Sequence, residues 1–122
     1  FTVAEGASLP PGGRLLVLSW DTTDPANSGR VASFRAHYEL AESVAMVGGY
    51  SGSLSGQGEE LSLWRLTEAG GHRLEDGVAY GVATWPVAAA PAEGDAWHRV
   101  GSDTQGLHAD SWVEGPPSPG EP

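Results

Sequence analysis

The chain has no cysteine, so neither a disulfide framework nor thiolate chemistry is open to it. It has six Lys and Arg against 16 Asp and Glu, a formal net charge of −10 at pH 7. Such a surface repels nucleic-acid phosphates and anionic membranes, which argues against partners of either kind. No run approaches the roughly 18 apolar residues that a membrane-spanning helix needs. No segment recurs at a fixed spacing, so solenoid and propeller architectures are set aside. The first residue is Phe1, no stretch reads as a secretory leader, and "FTV" already resembles part of a strand; the expectation is a chain processed, or cut from something longer.

What is present fits one β-rich domain. The 122 residues are 39% hydrophobic, enough for a modest core. Gly 18 and Pro 9 interrupt the chain too often for long helices and predict short strands joined by turns. "FTV" places Phe1 and Val3 on one face of a strand. "SLPPGG" is a turn. "RLLVLSW", Arg14 to Trp20, is the most apolar run and predicts a strand buried on both faces. "DTTDPANSG" reads as a polar loop. "VASFRAHYEL" reads as a short helix with Ser33 as N-cap and Phe34 and Tyr38 at i,i+4, and "SVAMV" as a brief strand. "ELSLWRL" alternates, with Leu61 and Leu63 on one face and Ser62 and Trp64 on the other. "GVAYGV" alternates likewise through Val78, Tyr80 and Val82. With Gly70-Gly71 as the bend between them, the two runs are expected to pair antiparallel. "AWHRV" predicts one more short strand, and "GPPSPGEP" an extended linker. Many short strands with frequent turns predict an all-β sandwich.

Chemistry-bearing motifs are few. "SGSLSGQGEE" is glycine-rich, but a P-loop needs a Lys and a Ser or Thr after its second Gly. Here Gly58 precedes Glu59 and Glu60, two carboxylates that would repel a phosphate, so a turn entering a strand is the better reading. "GYSGSLSG" does not satisfy the G-x-S-x-G nucleophile elbow. His37, His72, His98 and His108 are scattered and predict no catalytic group. In "DTTDPAN", Asp21, Asp24 and Asn27 stand three apart. They are the candidate calcium ligands, although turn formation and capping are the commoner use of such residues. Asp95, Asp103 and Asp110 show less pattern still. The five tryptophans, Trp20, Trp64, Trp85, Trp97 and Trp112, are expected mostly in the core. Trp64, opposite Leu61 and Leu63, is the best exposed candidate.

Taken in order, several segments resemble one family, the lamin-tail domain in its bacterial, secreted or surface-associated form. "GASLPPGGRLLVLS" resembles that family's turn and following central strand. "SFRAHYEL" is similar to a short helical insertion in bacterial members. "VGGYSGSLSGQGEELSLWR" resembles the glycine-serine turn leading into a Leu-x-Leu strand. "LEDGVAYGVATWP" and "DSWVEGPPSPGEP" resemble the later strands with their Trp-Pro and Pro-Gly exits. The resemblance implies an immunoglobulin-like β-sandwich with one short helix over residues 1–114 and a Pro-rich tail over 115–122. It implies no catalytic residues and no cofactor. Family members start with strands of the type "INEI" and "EWIELYN", which this chain lacks, so an open edge and an exposed apolar seam are expected. Either a protein partner or the remaining part of its own chain is expected to complete the sandwich.

The functional expectation is therefore a non-catalytic protein-interaction or scaffolding module of a larger exported or cell-surface bacterial assembly. Phe1, Val3, Tyr50, Trp64 and Trp85 are its expected interface residues. The alternative is a carbohydrate- or calcium-binding module attached to an extracellular hydrolase.

Overall fold

The most apolar run yields a strand of only four residues, β1 (Leu15–Leu18), and that strand is not buried on both faces: Val17 is 48% exposed. The computed structural model describes residues 1–4, 7–81, 91–101, 106 and 108–121. They form six short strands and one α-helix, a small β-rich fold, and divide into two compact units. One unit comprises Phe1–Ser53 with Ser118–Pro122, the other Leu54–Pro117.

In the first unit, β1 pairs in parallel with β2 (Ala45–Gly48), with Leu15 opposite Ala45 and Leu18 opposite Gly48. Parallel neighbours require a crossover, and the helix α1 (Ser28–His37) supplies it. The helix starts five residues before the Ser33 cap that the sequence predicts. The cause is the Asp24-Pro25 pair: Asp24 Oδ1 accepts the Ala26 N–H at 2.9 Å, and Pro25 opens a 3₁₀ turn (Pro25–Asn27) that runs straight into α1. The helix stops at Tyr38 because Glu39 takes φ 51°, and the Leu40 N–H returns to the Arg35 carbonyl at 2.9 Å, a Schellman closure made without glycine. Arg35 then donates to the Ala41 and Val44 carbonyls, fastening the loop that leads into β2. Phe34 packs edge-on against Trp20 with ring centres 6.3 Å apart, and the Arg30 guanidinium lies 4.6 Å over the same indole. One helix face, Arg30 and Phe34 at i,i+4, thus holds α1 to the segment after β1. At the other end of the chain, Arg14 Nε donates to the Glu121 carbonyl at 2.9 Å. Phe1–Val3 forms no strand.

In the second unit, β3 (Glu59–Leu66) and β4 (His72–Tyr80) make the expected antiparallel hairpin. Its Thr67–Gly71 turn is closed by the Thr67 N–H to the Gly71 carbonyl at 2.8 Å. β4 starts well before "GVAYGV", because "HRLED" joins the ladder. The register slips between Leu63 and Trp64: Leu63 faces Asp76 while Trp64 faces Leu74, so Glu75 is the extra residue of a bulge. That bulge lets Glu75 Oε1 bind Arg65 Nε at 2.7 Å and Arg73 Nη2 at 2.8 Å, two arginines that stand directly opposite each other and would otherwise repel. Hydrogen bonding from Arg65, then from Arg73, holds the Glu75 carboxyl below the ordinary glutamate range. A carboxyl NMR titration is expected to show this depression. Arg65→Gln should raise the value more than Arg73→Gln, and added salt should narrow the difference. β5 (Ala96–Arg99) and β6 (Trp112–Gly115) form a second antiparallel pair, with Trp97 opposite Glu114 and Arg99 opposite Trp112.

Among the described residues Ala79 is the one buried hydrophobic residue, whereas Phe1, Leu9, Val17, Leu54, Leu63, Trp64, Leu66, Leu74, Val100 and Val113 are exposed. Trp64, the tryptophan expected at the surface, is exposed, whereas Trp20, Trp97 and Trp112 are half-buried and not in a closed core.

Candidate functional site

The backbone of β1 has one occupied and one vacant side. The Gly49 N–H donates to the Leu18 carbonyl at 3.2 Å, which sets the phase of the parallel ladder. In that phase the peptide groups of Leu16 and Leu18 turn toward β2, and those of Leu15 and Val17 turn away from it. The sheet holds two strands only, so among the described residues nothing pairs with that outer edge. On the far side of β2, the Met46 carbonyl accepts the Thr22 hydroxyl at 3.3 Å, so that flank is partly covered. The vacant side is β1.

The expected interface residues fall in different places. Phe1 is 64% exposed and meets the Tyr50 ring edge-on at 6.4 Å, so these two are brought together. Val3 and Tyr50 are half-buried. Trp64 belongs to the second unit; it is 54% exposed, and its indole N–H donates to the Ser62 hydroxyl at 2.8 Å. Trp85 lies outside the described residues.

Asp21, Asp24 and Asn27 share one loop, and their polar groups serve the backbone. Asp21 Oδ1 accepts both the Thr23 N–H at 2.8 Å and the Thr23 hydroxyl at 2.7 Å. These two bonds, the hydroxyl's first, lower the Asp21 pKa. Asp24 caps the 3₁₀ turn, and Asn27 Nδ2 donates to the Asp21 carbonyl at 2.8 Å. Among the described residues no three His, Asp or Glu side chains converge as a metal site. The glycine-rich stretch is the turn its sequence indicates. Glu59 Oε1 accepts the Ser55 N–H at 2.8 Å, so a carboxylate already holds one of the amides that a phosphate cradle would need. The Tyr80 hydroxyl, 2.9 Å from both Glu59 Oε1 and the Ser55 carbonyl, shares its proton between them.

The chain matches no family model, and no curated protein or solved structure is significantly similar to it.

Sequence reasoning missed a cavity in the second unit. It measures about 400 Å³, and its described walls are Leu54, Leu61, Val78, Tyr80, Pro91, Trp97 and Trp112. Leu61 and Val78 are cross-strand partners, and Val78 and Tyr80 share a face of β4 by the two-residue period. Trp97 and Trp112 come from the β5–β6 pair. Both hairpins therefore wall one apolar space. Beside it, a polar clasp joins them: Asp76 on β4 pairs with Arg99 on β5 and accepts the N–H groups of Gly77 and Gly106. Trp112 Nε1 donates to the Gly106 carbonyl at 2.8 Å. Burial pushes the Asp76 pKa up, but the Arg99 hydrogen bond and the backbone amides outweigh it and leave the carboxyl below its ordinary range. The Trp97 indole N–H is shut off from solvent and has no hydrogen-bond partner among the described residues. An unsatisfied buried donor costs about 1–3 kcal/mol. The only hint of this space in the sequence was the surplus of tryptophan.

Proposed function

We propose that the chain is a non-catalytic interaction module of lamin-tail type, whose immunoglobulin-like sandwich is completed by a strand added alongside β1. One observation carries the reading: the Leu15 and Val17 peptide groups line an unoccupied edge of a two-stranded parallel pair. Parallel pairs are ordinarily flanked and covered on both faces, and two strands alone are marginal in water. An extended segment laid beside β1 gains backbone hydrogen bonds from Leu15 and Val17 and covers the exposed Val17 side chain. Phe1 and Tyr50, adjoining aromatics of the same unit, offer further apolar contact. The added segment comes from another chain or from elsewhere in the module's own chain.

Amide hydrogen exchange tests this in the isolated chain and in its native assembly. In isolation, the Leu15 and Val17 amides are expected to exchange at least about tenfold faster than those of Leu16 and Leu18. In the assembly all four should be protected. Val17→Pro removes an outward donor without touching the β1–β2 ladder, so it should spare the isolated fold and abolish assembly. Equal protection of all four amides in the isolated chain, or an edge still exchanging freely in the assembly, would refute strand addition.

A further inference from the structure

We infer that the cavity between the two hairpins of the second unit binds a compact organic cation without N–H groups: an aryl- or alkyl-trimethylammonium compound, taken up as a free small molecule. The inference is independent of the strand-addition reading, which concerns the other unit.

The walls give the first condition. Among the described lining residues, Tyr80, Trp97 and Trp112 bring three aromatic side chains to one space, and the others are aliphatic. The polar atoms of these three are taken or hidden. The Tyr80 hydroxyl is bonded to Glu59 and Ser55, the Trp112 indole N–H to the Gly106 carbonyl, and the Trp97 nitrogen is closed off from solvent. An occupant therefore meets carbon. Any N–H that it carried inside would give up its water partners, and the lining side chains offer no replacement.

Charge gives the second condition. In the β3–β4 ladder, Glu59 stands opposite Tyr80 and on the same face as Leu61 and Val78. In the β5–β6 ladder, Glu114 stands opposite Trp97 and on the same face as Trp112. Each ribbon thus sets one carboxylate on the face that walls the cavity. Glu59 Oε1 accepts from the Ser55 amide and the Tyr80 hydroxyl, and Glu114 Oε1 from the Ala92 amide, next to Pro91 of the wall. All three donors are neutral, so none of them cancels either negative charge. Residues Leu54–Pro117 carry ten Asp and Glu against three Arg, and those arginines are engaged, Arg65 and Arg73 by Glu75 and Arg99 by Asp76. The field around the cavity favours a cation and repels a carboxylate.

The two conditions together select a narrow class. A primary ammonium has the charge but brings three N–H donors against carbon walls. A hydrocarbon suits the walls but gains nothing from Glu59 and Glu114. A trimethylammonium group spreads its charge over methyl carbons, carries no N–H, and is the kind of cation that clustered aromatic side chains receive. The space measures about 400 Å³ and is partly open, so a whole small molecule can enter it.

The test uses three probes with the full chain: benzyltrimethylammonium, its neutral carbon isostere neopentylbenzene, and benzylammonium. Binding is read by tryptophan fluorescence and by the Trp97 and Trp112 Nε1–H resonances. At low salt, benzyltrimethylammonium is expected to bind about tenfold more tightly than either of the others, and to move both resonances. Its lead over neopentylbenzene should shrink as salt is added. Glu114→Gln keeps an acceptor for the Ala92 amide but removes one charge. It should weaken benzyltrimethylammonium by about threefold and leave neopentylbenzene unchanged. Vesicles of phosphatidylcholine, which display the same cation as a lipid headgroup, should not sediment the chain. Failure of all three probes to bind, equal or tighter binding of neopentylbenzene or benzylammonium, unmoved Trp97 and Trp112 resonances, a preference untouched by Glu114→Gln, or capture by the vesicles would each overturn the inference.

Discussion

Replacing Gly58 with alanine is expected to destabilise the chain by about 3 kcal/mol or more, lowering the melting midpoint by about 10 °C or beyond. Gly58 enters β3 at φ 111°, a backbone conformation that L-residues rarely adopt. A Cβ there would meet the Tyr80 carbonyl and lie 2.6 Å from the Gly81 Cα. Gly81, at φ 69°, leaves β4 directly opposite, and its own Cβ would stand 2.5 Å from the Gln57 carbonyl. The two glycines let the backbones touch at the base of the hairpin, and every opposing atom is main chain, so no side-chain rotation relieves the clash. Gly29 is the contrast. It sits in α1 with open space around a Cβ, so Gly29→Ala should raise stability by up to about 1 kcal/mol. Thermal unfolding of the two variants should move in opposite directions; a harmless Gly58→Ala would mean that the close approach at the hairpin base is wrong.

The second large effect lies in the Asp76–Arg99 clasp. Asp76→Ala removes the acceptor shared by Arg99 and the Gly77 and Gly106 amides, and with it a link between β4 and the β5–β6 pair. The two side chains are 34% and 29% exposed, so solvent screens part of the interaction. A double-mutant cycle with Arg99→Met is expected to give a coupling of about 1–2 kcal/mol. The pH dependence has a definite sign. The folded-state pKa of Asp76 is lowered, so its contribution is complete above the ordinary aspartate value, about pH 4, and is lost as acid carries the pH down through the lowered folded value. In denaturant melts the stability gap between wild type and Asp76→Ala should be full at pH 7 and narrow progressively as the pH is lowered below about 4. A gap that does not change with acid would show that the Asp76 charge contributes nothing.

The β3–β4 hairpin was legible in the sequence because its information is local. Leu61 and Leu63 on one run, and Val78 and Tyr80 on the other, alternate at every second residue, and Gly70-Gly71 marks the bend. The helix was legible in kind but not in position: the Asp24-Pro25 start signal was read as loop chemistry, although a capping aspartate before proline is itself a helix-entry pattern. The pairing of β1 with β2 was not readable, since a four-residue apolar run does not name its neighbour or its direction. Val17 illustrates the limit: its hydrophobicity predicts burial, and its neighbours leave it in water. The cavity was hidden for a different reason. Leu61, Pro91, Trp97 and Trp112 are far apart in the chain, and only tertiary packing makes them one surface. Asp21, the capping Asp24 and Asn27 at the end of the 3₁₀ turn direct their bonds to the chain itself.

The extra residue at Glu75 also bears on behaviour in concentrated solution. A bulge gives the ribbon a local corkscrew. Regular stacking of such ribbons into fibrils requires flat, uninterrupted backbones in matching register. A single insertion thus guards the longest strand pair against runaway polymerisation, even though Trp64, Leu66 and Leu74 stand uncovered on it.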